Sequence, residues 1–153
     1  MATLKERLRA DLTAAIKSRD ELRTATLRLT LAAITNEEVA GKTARELSND
    51  EVVRVLTREA KKRREAAEAF GQAGRSEQAE RERAEGEVIE EYLPAQLSDD
   101  ELRDLVSAAI KEVGASAPRD MGQVMRSVTP RIAGRAEGGR VAAEVRRQLS
   151  ASA

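Results

Sequence analysis

Three points in this chain carry the same helix-starting device. Thr3-Leu4-Lys5-Glu6, Ser48-Asn49-Asp50-Glu51 and Ser98-Asp99-Asp100-Glu101 each set a hydroxyl three residues before a glutamate. In such a capping box the hydroxyl accepts from a backbone N–H of the first turn, and the carboxylate reaches back to the cap's own N–H. Leu47 and Leu97 stand just before the last two caps. They are placed to staple onto Val52 and Leu102 in the first turn that follows. Helix starts of this quality leave little room for a sheet. Composition agrees, since Phe70 and Tyr92 are the only aromatic residues and the chain is rich in Ala, Glu, Arg and Leu. A pleated core draws on aromatic and β-branched residues, whereas these residues favour helix. The predicted fold class is all-α.

Periodicity predicts a first helix over about 4–18, with Leu4, Leu8, Leu12 and Ile16 as one apolar stripe. Asp20 is placed to cap a second helix with a wide apolar face. Leu22, Ala25, Leu29 and Ala33 form one row, with Leu27, Leu31 and Ile34 beside it. Gly41-Lys42 breaks that pattern. The third helix begins at Ser48 and carries Val52, Val53, Val55, Leu56, Ala60, Ala67 and Phe70, with Gly71 as its expected left-handed terminator. A polar helix over about 76–92 has so few apolar residues that it must lean on a neighbour to exist. Tyr92 is expected to fix the junction that follows, its hydroxyl near the surface.

Pro94 stops the helical pattern. The expected organisation is an N-terminal helical hairpin lobe of about four helices over 1–93, a junction over 94–97, and a smaller three-helix lobe over 98–153. Leu102, Leu105, Val106, Ala109, Ile110 and Val113 make the first helix of the second lobe, ended by Gly114. Met121, Val124, Met125 and Val128 form a stripe capped by Asp120, in which the methionines read as core. Pro130 bends or restarts that segment and Gly134 ends it. Val141, Val145 and Leu149 mark the last helix.

Chemistry is bounded by absences. The chain has no His and no Cys, so Ser-His and Cys-His nucleophile systems and thiolate metal sites are excluded. No Gly-rich phosphate loop of the Walker or dinucleotide type occurs. The adjacent carboxylates Glu37-Glu38, Glu90-Glu91 and Asp99-Asp100 diverge by about 100° on a helix, so they do not converge on a metal or a proton. They read as solvated charge or as first-turn acids on the helix dipole. No catalytic residue, cofactor or metal is expected. No stretch approaches the length of a membrane span, and the start lacks the apolar run of a signal peptide, so the expectation is a cytoplasmic protein without a membrane partner.

Charge is balanced, with 27 basic and 27 acidic residues, so binding to nucleic acid would have to come from local clusters. Two clusters are candidates. Arg54, Arg58, Lys61 and Lys62 share one face of the third helix, interleaved with Glu51, Glu59 and Glu65. They read either as a salt-bridged solvated face or as a phosphate-contacting stripe. From Arg119 to the end, seven arginines stand against three acids, and Arg131, Arg135 and Arg140 lie among glycines. Arginine's planar fork suits phosphate, although Gly134, Gly138 and Gly139 are equally read as ending one helix and starting the next. Stacking on bases is excluded because both aromatics lie on apolar faces.

Several stretches match a known family in order and spacing. Tyr92-Leu93-Pro94-Ala95-Gln96-Leu97-Ser98, the basic helix from Leu56 to Glu65, Asp120-Met121-Gly122-Gln123-Val124-Met125, and Pro130 with Gly134-Arg135-Ala136-Glu137-Gly138 resemble the GatB/YqeY family. The family usually has Asp where this chain has Glu137, which keeps the charge on a longer side chain. The resemblance implies two helical lobes. It also implies kinship with the tail domain of the GatB component of glutamine-dependent aminoacyl-tRNA amidotransferase, which helps hold tRNA while the chemistry sits elsewhere. The leading expectation is therefore a non-catalytic tRNA-associated accessory module, with tRNA or a translation-related protein as partner and no DNA. A protein–protein adaptor is the second reading. A component of glutamine-dependent carbon–nitrogen ligation is the third, unable to act alone.

Overall fold

The computed structural model describes residues 2–151. Among these, seven α-helices and one 3-10 turn make up the regular structure, with no strand. The helices are α1 Leu4–Ser18, α2 Glu21–Glu38, α3 Asn49–Gln72, α4 Ser76–Glu90, α5 Asp99–Val113, α6 Met121–Ile132 and α7 Gly138–Ala151, with the turn at Pro118–Asp120. The fold is all-α, as the capping boxes predicted. All three boxes form, on Thr3 with Glu6, Ser48 with Glu51 and Ser98 with Glu101. The chain divides after Leu93 into two compact units.

The N-terminal unit is built from α1 to α4. Its core gathers Leu8, Leu27, Ile34, Leu47, Val52, Val55, Leu56, Ile89 and Tyr92. α4 does lean on a neighbour. Ala60, Ala67, Ala79 and Gly86 are buried, and a Cβ added at Gly86 would stand 3.5 Å from the Arg63 Cβ. Small side chains let the α3 and α4 backbones approach, which replaces the missing apolar bulk with contact area.

Two apolar rows in this unit differ from expectation. Leu8 and Ala15 are buried on α1, whereas Ile16 is 47% exposed. A four-residue spacing drifts by about 40° per step, so the stripe has rotated out of the core by Ile16. On α2 the buried row is Thr26, Leu27, Thr30, Ile34 and Glu38, while Leu29 is 53% exposed. The threonines are tolerated because their hydroxyls donate to the Leu22 and Thr26 carbonyls, each at 2.8 Å. The α3 terminator also differs. The helix runs through Gly71 to Gln72, and Gly74 takes the left-handed conformation at φ 75°. The Arg75 N–H reaching back to the Phe70 carbonyl at 2.8 Å closes the end.

Glu38 holds this unit together from inside. Its carboxylate takes two bonds from Lys5 Nζ, at 2.7 and 2.8 Å, and one from the Leu47 N–H at 3.1 Å. The Lys5 bonds chiefly, then the Leu47 N–H, hold its carboxyl below the usual range. Tyr92 packs into the same core and its hydroxyl donates to Asp11 at 2.5 Å, with the Arg7 guanidinium 5.0 Å above its ring. Burial first, and then the bond to Asp11, push its pKa up to about 12.

The C-terminal unit packs α5, α6 and α7 around Leu97, Leu102, Val106, Ala109, Val124, Val128, Ile132, Val141, Val145 and Leu149. Met121 and Met125 pack against this core. Leu97 and Leu102 are both buried in it, as a staple requires. Asp120 does not cap α6 with its side chain. Its carboxylate instead accepts the Ser116 and Ala117 N–H groups at 3.0 and 3.2 Å, closing the loop before the 3-10 turn. α6 runs through Pro130 and ends two residues later, where Ala133 and Gly134 adopt φ of 48° and 78°.

Candidate nucleic-acid interface

The α3 candidates follow from how that helix is seated. Val52, Val55, Leu56 and Ala60 face the core, which turns Arg54, Arg58, Lys61 and Lys62 outward. Most of these cations have partners. Arg58 pairs with Glu37 at 3.4 Å, Lys61 with Glu65 at 4.0 Å, and Lys62 with Glu59 at 3.1 Å. Arg54 makes no ion pair with the described residues and lines a small hollow with Glu37, Glu51 and Arg58. Glu59 is itself buried, so withdrawing Lys62 would leave a carboxylate uncompensated in the interior. Arg63, part of the same basic run, is half-buried against α4 with its Nε 3.1 Å from Glu85 and 3.9 Å from Glu82. The run is thus partly interior glue. Its short-range appearance in the sequence hid partners on α2 and α4.

The C-terminal arginines remain at the surface. Of the seven from Arg119 onward, none is buried. Arg119, Arg126 and Arg146 are exposed and make no ion pair with the described residues. The other four are paired. Arg131 meets Glu112, Arg135 lies 3.7 Å from Glu101, Arg140 lies 2.7 Å from Asp99, and Arg147 grips Glu144 on its own helix at 2.6 Å. That grip, more than the burial opposing it, lowers the Glu144 pKa. Asp99, Glu101 and Glu112 all belong to α5. The sequence shows Asp99 and Asp100 as first-turn charges on the helix dipole, and only the fold shows that Asp99 also meets an arginine of α7.

Two of the stretches that carry the family resemblance, the segment from Pro94 to Ser98 and the segment around Gly134 and Arg135, meet within the C-terminal unit. The Leu97 N–H donates to the Arg135 carbonyl at 2.7 Å. Gln96 Nε2 donates to the carbonyls of Pro94 and Gly134, at 3.1 and 3.4 Å. Arg140 Nη1 donates to the Leu97 carbonyl at 2.8 Å while its Nη2 holds Asp99. The segment before α5 and the segment before α7 are therefore laced together through backbone groups. Gly138 and Gly139 open α7, and a Cβ at Gly139 would stand 3.6 Å from the Glu137 carboxylate. A carboxylate next to that helix start favours a structural role for the glycines over a phosphate cradle.

Between α5 and α7 lies an open cleft of about 460 Å³, lined by Asp99, Leu102, Arg103, Arg140, Ala143, Glu144 and Arg147. Sequence reading overlooked Arg103, which sits on α5 and pairs with Asp100 at 2.7 Å. The Tyr92 ring is not available for stacking, being 6% exposed, whereas Phe70, near the end of α3, is half-buried. Among the described residues no acidic group of three or more is arranged to hold a metal ion. No helix among them is long and apolar enough to cross a membrane.

Comparison with known proteins places this geometry in a lineage. The chain is 29% identical over 130 residues to altered inheritance of mitochondria protein 41, mitochondrial, of Clavispora lusitaniae (strain ATCC 42720). That match covers 82% of this chain and 74% of the relative. The profile of the family described as Yqey-like protein matches residues 5–149. With nearly the whole chain matched, and with the junction and the Arg135–Arg140 segment interlocked as one structural feature, the protein belongs to the YqeY-like family.

Proposed function

We propose that the chain is a non-catalytic, tRNA-associated accessory module that contacts the phosphate backbone mainly through its C-terminal unit. The observation that carries this reading is the surface placement of all seven arginines from Arg119 to Arg147, against three acids in the same stretch. Arg131, Arg135 and Arg140 are the central contacts, with Arg119, Arg126 and Arg146 as flanking cations. On α3, Arg54, Arg58, Lys61 and Lys62 form a weaker second face, because that run partly serves the interior. With no aromatic residue in the C-terminal unit, recognition reads backbone shape, as a folded RNA permits. The resemblance to the amidotransferase tail domain supports tRNA as the RNA. Binding of bulk tRNA at two salt concentrations tests the reading. Each phosphate contact contributes about −0.7 to −0.9 to the slope of log K against log salt, so several contacts give a steep loss of affinity. No binding at low salt, or binding without a slope, rejects it.

A second reading, a protein–protein adaptor, is favoured by one observation. The α2 row containing Leu22, Ala25, Leu29 and Ala33 is left partly or wholly uncovered. Capture of a partner that survives nuclease treatment and is lost in Leu29→Lys would favour this reading over RNA. For glutamine-dependent carbon–nitrogen ligation, the purified chain with glutamine, ATP and misacylated tRNA is expected to yield no amidated product.

A further inference from the structure

Arg131, Arg135 and Arg140 are each held by an acid of the same helix, α5. Arg140 Nη2 meets Asp99 at 2.7 Å, Arg135 lies 3.7 Å from Glu101, and Arg131 meets Glu112. These pairs are open to water. The acid side chains are 90%, 57% and 57% exposed, and the arginines 34%, 40% and 35%. Exposed pairs of this kind contribute little to folding, so their usefulness in holding the unit together is small. Arg140 has a separate structural anchor in the Leu97 carbonyl, a bond made by a different guanidinium nitrogen from the one that meets Asp99. The caps likewise do not depend on the negative charge, because glutamine can replace glutamate in a capping box.

We infer that the first turn of α5 is an electrostatic latch, in which the Asp99 and Glu101 carboxylates occupy Arg140 and Arg135 and compete directly with a phosphodiester backbone for them. This rests on the proposed RNA contact and specifies how that same surface is controlled. The carboxylates supply what a phosphate would supply, a pair of anionic oxygens for a guanidinium fork. Binding then exchanges one set of charge-assisted bonds for another, and the affinity of the wild-type chain is held down by the acids it must displace. The competition is confined to the two arginines that Asp99 and Glu101 touch. Asp100 and Asp104 lie on the same helix, but Asp100 pairs with Arg103, so their removal would alter the total charge without releasing Arg135 or Arg140.

The test compares tRNA binding, at low and moderate salt, by the full chain, by Asp99→Asn/Glu101→Gln, and by the charge-matched control Asp100→Asn/Asp104→Asn. Helical content and thermal unfolding are followed in parallel. The latch predicts that Asp99→Asn/Glu101→Gln binds about tenfold more tightly at low salt and adds about two phosphate contacts' worth of salt slope, whereas the control changes affinity by less than about threefold. Arg135→Ala/Arg140→Ala combined with Asp99→Asn/Glu101→Gln is expected to abolish the gain. If the full chain binds and both acid variants behave alike, the latch is overturned and the RNA reading stands. If the full chain binds and only Asp99→Asn/Glu101→Gln binds more tightly with a steeper salt slope, the latch is supported. If none of the proteins binds, both the latch and the RNA reading fail.

Discussion

The two units solve the same helical problem with different materials. The N-terminal unit buries Thr26, Thr30, Glu38, Glu59 and Glu85, and packs α3 on α4 through alanine and glycine. In the C-terminal unit every buried side chain among the described residues is aliphatic, and its ion pairs lie at the surface. Buried charge in the first unit is committed, because removing one partner strands the other in the interior. Surface charge in the second is exchangeable, because water and salt already screen it. A binding role therefore sits more naturally on the second unit, although both carry many arginines.

The largest expected effect tests the aliphatic core. Leu149 is fully buried, and Leu149→Ala should destabilise the chain by about 3 kcal/mol in urea denaturation. Next come the polar anchors of the first unit. Glu38→Ala removes the partner of Lys5 and of the Leu47 N–H, and should cost about 2 kcal/mol. Asp99→Asn in the second unit should cost less than about 0.5 kcal/mol if its pair is as loose as its exposure implies. Equal losses for the two would erase the contrast.

Acid and alkaline titration sharpen it. Glu38 is held below its ordinary pKa, and the Arg45 guanidinium at 2.5 Å, with help from Ser48, lowers Glu51 to about 2. A depressed carboxyl stabilises the fold above its unfolded pKa and loses that contribution as pH falls through the folded value. The N-terminal unit should therefore weaken progressively from about pH 4.3 towards pH 2. Tyr92 behaves oppositely, because its pKa is raised to about 12. Its contribution is complete below the unfolded value of about 10 and is lost as pH climbs from there through 12. Tyr92→Phe should abolish that alkaline step and cost about 1 kcal/mol at neutral pH. The smallest effects come from backbone relief. Arg19 and Ala133, one in each unit, hold left-handed conformations at φ 60° and 48°. Arg19→Gly and Ala133→Gly should each change stability by under about 1 kcal/mol, in the stabilising direction.

The same contrast explains what could be read in advance. Where the core is aliphatic, spacing identifies it directly. Val141, Val145 and Leu149 are all buried, as are Val124 and Val128. Where the core admits polar groups, hydropathy misleads. Thr26 and Thr30 are buried because they bond to their own helix, and Leu29 is left outside. The capping boxes were legible because they are local, with every partner within three residues. The charge partners were not. Arg140 and Asp99 are 41 residues apart, and Arg63 reaches Glu85 on another helix. Nothing in a linear pattern of arginines shows which ones the fold will occupy.

The account's central claim is that the C-terminal unit carries the RNA contact. Backbone amide NMR shifts of the full chain, followed during titration with bulk tRNA at low salt, test it most directly. The account predicts perturbations concentrated over residues 97–149, strongest around Arg131, Arg135 and Arg140, and reversed by added salt. Perturbations confined to residues 4–93, or none at all, would contradict it.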